Sequence, residues 1–366
     1  MAEMLAGSGI EVTVIVADER VDDHSVAAPR ENLAVARFNP ARRGAPQELG
    51  GTAGLSYAFF KVVELLIAES GAPDVIESQD YLGIAYYLQQ FKLCGYAPYS
   101  DIPVVITIHA PAFVYLPYNE APIYRFPDFW TGVIEKESIR AADLVISPSA
   151  FMAEEVGRHL DYQGRLPVIL PYGYRACGSV EAVAAPIERN KIVYYGKLSP
   201  QKGSFELLRY FSALWDEGFP HALHVIGGTD IVYQPEQQTM GQIFRQRYGE
   251  YMQRGLLRLH GKIDPASLPA ELADAHVVLL PSIVDNLPYV CLETMACGKI
   301  VLASVQGGQR EIITDGEDGF LFDHRDPESF AQKLKHILSL SDEEVLRLQK
   351  NARGAMWRYD YAVIAP

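Results

Sequence analysis

Short, almost uninterrupted apolar runs alternate with stretches of helical period along the whole of this chain. An apolar run with no polar alternation must be covered on both faces, which a parallel sheet between two layers of helices achieves. Val12 to Val16, Asp74 to Glu77, Val104 to His109, Leu144 to Ser147 and Val168 to Leu170 read as strands of a first sheet, with helices over Gly54 to Glu69 and Asp128 to Ala142 among them. Ile192 to Tyr195, Leu223 to Ile226, Leu257 to His260, Val277 to Leu280 and Ile300 to Ala303 form a second series. Gly173 to Asn190, polar and rich in small residues, separates the two and reads as a linker. The pattern predicts an α/β protein of two doubly wound, Rossmann-like domains, over residues 1–175 and 190–340, with a helical segment over 341–366 returning toward the first.

The 366 residues are enough for two domains, and 49% hydrophobic residues are ample for two cores. With 32 Lys and Arg against 46 Asp and Glu, the net charge is −14, which argues against nucleic acid as a partner. Basic groups such as Lys197 and Lys202 therefore stand out as contacts for an anionic small molecule. The four cysteines, Cys94, Cys177, Cys291 and Cys297, lack metal-ligand spacing and read as reduced thiols. No apolar run reaches the roughly 18 residues that span a bilayer, and no signal peptide opens the chain, so a cytoplasmic protein is expected.

The stretch PSIVDNLPYVCLETMACGKIVLAS holds two carboxylates, Asp285 and Glu293, with seven residues between them. The run His276 to Leu280 delivers the backbone to Pro281 and Ser282, a polar loop carries Asp285 and Asn286, and a helical pattern opens near Tyr289. The first carboxylate is thus expected at the mouth of a strand-to-helix turn and the second about one turn into the helix. Unpaired N–H groups at a helix start attract an anion while carboxylates beside them accept from hydroxyls. Phosphate next to sugar is the ligand such a turn suits.

This segment resembles the E-x7-E region of the retaining glycosyltransferases of family 4, "LETMACG" matching the family's "LEAMACG". GGQREIITDGEDGFLF, from Gly307 to Phe322, resembles the family's "GG…E-I-I-x-D-G…G-x-L" segment, and YYGKLSPQKG, from Tyr194 to Gly203, resembles its "G-R-L-x-x-x-K-G" loop. Together they cover at least residues 191 to 340. The resemblance implies the GT-B architecture, two Rossmann-like domains facing across a cleft. It implies a hexosyltransferase using a nucleotide-diphosphate sugar as co-substrate, UDP or GDP first, and no other cofactor. The acceptor would be a carbohydrate or lipid-linked hydroxyl in polysaccharide, glycolipid or glycoconjugate assembly, with peripheral contact at the inner face of a membrane a further expectation.

By the same resemblance, Glu293 would accept from the ribose hydroxyls of the nucleotide and Asp285 would hold a hydroxyl of the transferred sugar, with Asn286 and Leu287 beside them. Lys197 and Lys202, on a loop between Gly196 and a helix start, would neutralise the diphosphate. Gly261 and Lys262 follow a strand where the family's backbone meets the base, and Gly227 and Gly228 line a similar approach. His109, in VVITIHAP at the end of a strand, would point toward the cleft at a place where the family often has a His; catalytic roles fall to Asp285, His109 and Lys202. Tyr115, Tyr118, Tyr124, Phe126, Phe129 and Trp130 form an aromatic loop that could cover the acceptor or pack the domain, while Glu137 and Asp143 read as structural. Enzymes that grip a diphosphate through Mg2+ or Mn2+ need clustered oxygen ligands, and the chain has no Asp-x-Asp triplet, so no metal is expected.

Three departures qualify the match. Asp285 stands where the family usually has Glu, and Lys197 where it usually has Arg, which gives up bidentate geometry. The chain opens with MAEMLAGSGIEVTVIV, without the strand and glycine-rich loop that family members place first, and RYDYAVIAP stops short of their last helix. A non-hydrolysing nucleotide-sugar epimerase of the same fold, or a sugar-binding protein of two facing α/β domains, remain as alternatives.

Overall fold

The structure is a computed structural model that describes residues 2–160, 167–174 and 189–364. The expected linker lies mostly outside the described residues, as does Cys177. The chain divides into two compact units. The first comprises Met1–Val114, Pro122–Ser147 and Ala153–Ile169; the second comprises Tyr115–Ala121, Pro148–Met152 and Leu170–Pro366.

In the first unit the strands form two sheets where one was expected. Ile76–Gln79, Val104–Thr107, Leu144–Ser147 and Val168–Ile169 make a four-stranded parallel sheet in that order. Val12–Ala17 pairs instead with Leu33–Phe38, in parallel, and His24–Arg30 adds to the other edge of Leu33–Phe38 in antiparallel. The backbone of Val12–Ala17 therefore finds its ladder in Leu33–Phe38 and not in the sheet of Ile76–Gln79. The helix Gly50–Ser70 buries Ala53, Ser56, Ala58, Phe60 and Val62. By length and composition it is long and apolar enough to cross a membrane, which corrects the expectation that no such run exists.

The second unit is built on a six-stranded parallel sheet in the order Leu257–Gly261, Leu223–Ile226, Ile192–Tyr195, Val277–Leu280, Ile300–Ser304 and Phe320–Phe322. Successive side chains on a strand point to opposite faces. Ile192, Tyr194, Val277, Leu279, Ile300 and Leu302 accordingly join a core with Leu207, Phe211, Phe330 and Leu334 of the helices Ser204–Asp216 and Pro327–Ser339. Val193, Val278, Leu280, Val301 and Ala303 pack on the other face against Cys291, Leu292 and Met295 of Tyr289–Ala296 and Ala352 of Asp342–Ala355. Two cores on one sheet explain why Ile192–Tyr195, Val277–Leu280 and Ile300–Ser304 lack polar alternation, while the edge strand Leu257–Gly261 keeps it, with Arg258 and His260 exposed. Ser341 and Glu344 close a capping box that starts the helix Asp342–Ala355.

Candidate functional site: a pocket at the carboxyl ends of the second sheet

Ligands of open parallel sheets bind beyond the carboxyl ends of the strands. There the second unit has a pocket of about 380 Å³, lined among others by Tyr195, Gly196, Lys197, Lys202, Gly227, Lys262, Pro281 and Ser282. Four neighbouring strands of one sheet thus contribute to one wall.

The Gly196–Gly203 loop is tied to its neighbours through backbone groups. Gly196 N–H donates to Ile226 O at 2.9 Å and Leu198 N–H to Gly228 O at 2.8 Å, while the Tyr194 hydroxyl donates to Lys197 O at 2.8 Å. Gly203 ends the turn with φ of +68°, and a Cβ there would lie 1.8 Å from Pro281 O. Only glycine lets this loop lie so close to the end of the central strand. Lys197 is exposed at the pocket. The protein around it, and next the Lys202 ammonium, lower its pKa, with Asp285 acting the other way.

Lys202 does not stand free toward the pocket. Its ammonium donates to Asp285 Oδ2, which also accepts from Ser282 Oγ at 3.1 Å. The two side chains are only 17% and 12% exposed, so the pair is held in a setting where charges interact strongly. Asn286 is buried and its Oδ1 accepts from Ser149 Oγ at 2.8 Å; Leu287 is buried in the core beside Leu292. Gly308 N–H donates to Asp285 O at 2.9 Å, and a Cβ on Gly308 would fall 1.4 Å from Asn286 O. The double glycine of the Gly307 to Phe322 segment is thereby explained as a clamp on the Asp285 turn.

The helix opens at Tyr289, as its pattern predicts, and carries Glu293 one turn in. Glu293 Oε2 accepts from the Tyr195 hydroxyl at 3.1 Å. Burial raises the Glu293 pKa and the Tyr195 bond opposes that rise. Gly261 closes its strand with φ of +79°, and its carbonyl accepts from Gly227 N–H at 2.8 Å. Lys262 borders the pocket in an exposed pair with Asp230 at 2.9 Å, a contact of small energetic weight.

His109 belongs to the first unit. It is half-buried just beyond the strand Val104–Thr107, and burial lowers its pKa against the raising influence of Glu77. Its backbone N–H donates to Asp80 Oδ1 at 2.8 Å. Nearby, Glu135 Oε2 accepts from Ala112 N–H at 2.7 Å and Phe113 N–H at 3.3 Å, and its Oε1 from Leu82 N–H at 3.0 Å. Burial pushes Asp80 up to about 7 and Glu135 up to about 8.

Asp80, Glu135 and Tyr195 were all missed in the sequence. Single acids such as Asp80 in IESQD or Glu135 in a helix carry no local sign of burial, whereas Tyr195 stands at the end of a strand just before a loop glycine, a position at the strand ends. Of the aromatic loop, Tyr115 is buried while Tyr124, Phe126 and Phe129 are 78%, 77% and 50% exposed. Glu137 pairs with Arg140, and Asp143 accepts from Val104 N–H at 2.7 Å, both holding local structure.

Comparison with known proteins bears on the whole chain. Residues 180–355 match the family described as Glycosyl transferases group 1, and residues 1–173 match Glycosyltransferase Family 4. Alpha-maltose-1-phosphate synthase of Mycolicibacterium smegmatis is 28% identical over 92% of this chain and 86% of its own. D-inositol 3-phosphate glycosyltransferase of Corynebacterium glutamicum is 23% identical over 100% of this chain and 87% of its own. Among solved structures, sucrose-phosphate synthase from Thermosynechococcus elongatus aligns with a TM-score of 0.74 at 22% identity, covering 100% of this chain and 88% of that one. Anabaena HepE, solved with UDP and glucose, aligns with a TM-score of 0.62 at 17% identity, covering 91% of this chain and 84% of that one. The two family matches divide the chain between them, the solved relatives share its GT-B fold, and the chain belongs to the family 4, group 1 glycosyltransferases.

Proposed function

We propose that this chain is a retaining, metal-independent glycosyltransferase that moves a hexosyl group from a nucleoside-diphosphate sugar to an acceptor hydroxyl in the cytoplasm, with UDP and GDP sugars the first donors to test. The observation that carries the reading is the gathering of Lys197, Lys202 and Lys262 around a pocket at the strand ends, beside the Asp285 turn. In this reading residues 190–340 bind the donor and residues 1–175 serve the acceptor. Lys197 and Lys202 stabilise the departing diphosphate, Asp285 holds the sugar, Glu293 accepts from the ribose hydroxyls, and His109 has a catalytic role. Asn286, Leu287, Gly196, Gly261 and Lys262 shape the donor site.

The protein does little covalent work in such a reaction. Charge that develops on the leaving diphosphate meets preplaced ammonium groups, which lowers the barrier more than it strengthens ground-state binding. The acceptor hydroxyl then arrives on the face the diphosphate leaves, gives its proton to a departing phosphate oxygen as the C1–O bond to the acceptor forms and the C1–O bond to the diphosphate breaks, and so keeps the anomeric configuration. Two lysines supply countercharge, and among the described residues no group of three or more His, Cys, Asp or Glu gathers as a metal site. Relatives named for maltose 1-phosphate, inositol 3-phosphate and sucrose phosphate make phosphorylated sugars and inositol phosphate the first acceptors to try.

The test is to incubate the protein with UDP, GDP and ADP sugars and these acceptors, following nucleoside diphosphate release and the product's anomeric signals by NMR. A glycoside with the donor's configuration, formed in EDTA, is expected. An epimerised donor without acceptor, an inverted product, or activity lost in EDTA and restored by Mn2+ would contradict the corresponding part of the reading.

A further inference from the structure

Among the polar residues that line the pocket, the proposed chemistry gives no task to Tyr195. Alternation along the strand Ile192–Tyr195 sends Tyr194 into one core and Tyr195 to the opposite face, where the helix Tyr289–Ala296 lies. Gly196 follows the strand, and Tyr195 packs against the second core and also lines the pocket. That hydroxyl donates to Glu293 Oε2 at 3.1 Å.

We propose that Tyr195 is a positioning residue for Glu293, holding its carboxylate in the orientation that accepts from the ribose hydroxyls of the donor nucleotide. The proposal rests on the reading that gives Glu293 the ribose. A carboxylate offers about four acceptor sites, so one bond from Tyr195 fixes the group and leaves capacity for two hydroxyls. A glutamate without that bond would have to lose side-chain freedom when the nucleotide arrives, at a cost to affinity. The bond also favours the charged carboxylate, against the burial that raises its pKa. Burial likewise raises the Tyr195 pKa, so the phenol stays a donor through the working range. Other titratable or charged groups around this pair are Tyr289 and Cys297 on the Glu293 helix, Tyr174 near Tyr195, and Lys299 and Arg353 beside Cys297.

Tyr195→Phe removes the hydroxyl and keeps the ring. UDP, GDP and ADP are titrated into the full chain by calorimetry, and the tightest binder is compared with its 2′-deoxy counterpart from pH 5 to pH 8. In the wild type the ribose form is preferred, and the preference fades as Glu293 protonates. In Tyr195→Phe the preference falls about threefold to tenfold, the effect of one hydrogen bond to a charged group, and fades at a higher pH. Glu293→Gln separates the levels of the claim. If Glu293→Gln loses the preference and Tyr195→Phe matches wild type in size and pH profile, the positioning role is overturned and the ribose reading stands. If Glu293→Gln keeps the wild-type preference, both fall.

Discussion

The ammonium of Lys202 donates to Asp285 Oδ2, joining the cation assigned to the diphosphate to the carboxylate assigned to the sugar. The pair is mostly shielded from water. A donor that places its phosphate beside Lys202 and its sugar beside Asp285 would insert two ligands into a charge pair already set in place. This preorganisation removes the need to gather the charges during reaction.

Replacing Lys202 by Ala therefore acts twice. Asp285 keeps a buried charge without its cation, which destabilises the fold. The leaving diphosphate loses a preplaced donor, so kcat should fall by the equivalent of about 2–4 kcal/mol, with a smaller rise in KM. Steady-state kinetics at a temperature well below the melting point of the variant separate the two. A variant that turned over at the wild-type rate, or changed only KM, would make Lys202 a binding or structural residue.

In the first unit, Asp80 and Glu135 make stability depend on pH. Burial raises both carboxyl groups above their ordinary values, to about 7 and about 8, so the folded state binds protons that the unfolded chain releases near pH 4. Their contribution is then fully present below about pH 4 and is lost progressively as pH rises from there through about 7 and 8, at up to about 1.4 kcal/mol per pH unit for each proton. Asp80→Asn keeps an oxygen for the His109 and Ala110 N–H groups and removes the titration. Urea unfolding at pH 5.5 and 7.5 should show the stability difference shrink in this variant; an unchanged difference would remove Asp80 as a source.

Much of this arrangement can be read along the chain, and what cannot has physical causes. Ile192–Tyr195, Leu223–Ile226 and Val277–Leu280 have the expected bounds because strands buried on both faces show as continuous apolar runs. His24–Arg30 was passed over because it is exposed throughout, contains Pro29 and owes its form to its neighbour, Leu33–Phe38. The lysine loop and the Asp285 turn carry motif residues, whereas Asp80 and Glu135 earn their roles from backbone N–H groups tens of residues away in sequence. The ion pair of Lys202 with Asp285 likewise spans distant segments that local patterning does not join.

Gly308→Ala tests the clamp on the Asp285 turn. A Cβ 1.4 Å from Asn286 O must push that carbonyl aside, costing at least about 2 kcal/mol. Because Asp285 and Asn286 move with it, activity should fall further than the melting temperature alone accounts for. A Gly308→Ala protein with wild-type kinetics would show that the turn is not held by this contact.

The most direct measurement of the central claim is calorimetric titration of UDP, GDP and ADP into the wild type, Lys197→Arg and the Lys197→Ala/Lys202→Ala double variant. The account predicts that at least one nucleoside diphosphate binds the wild type, that Lys197→Arg keeps most of the affinity because the charge remains, and that the double variant loses at least about tenfold as two charge-assisted contacts disappear. Equal affinity in the wild type and the double variant would contradict it, because the diphosphate would then be held elsewhere than at the strand ends of the second sheet.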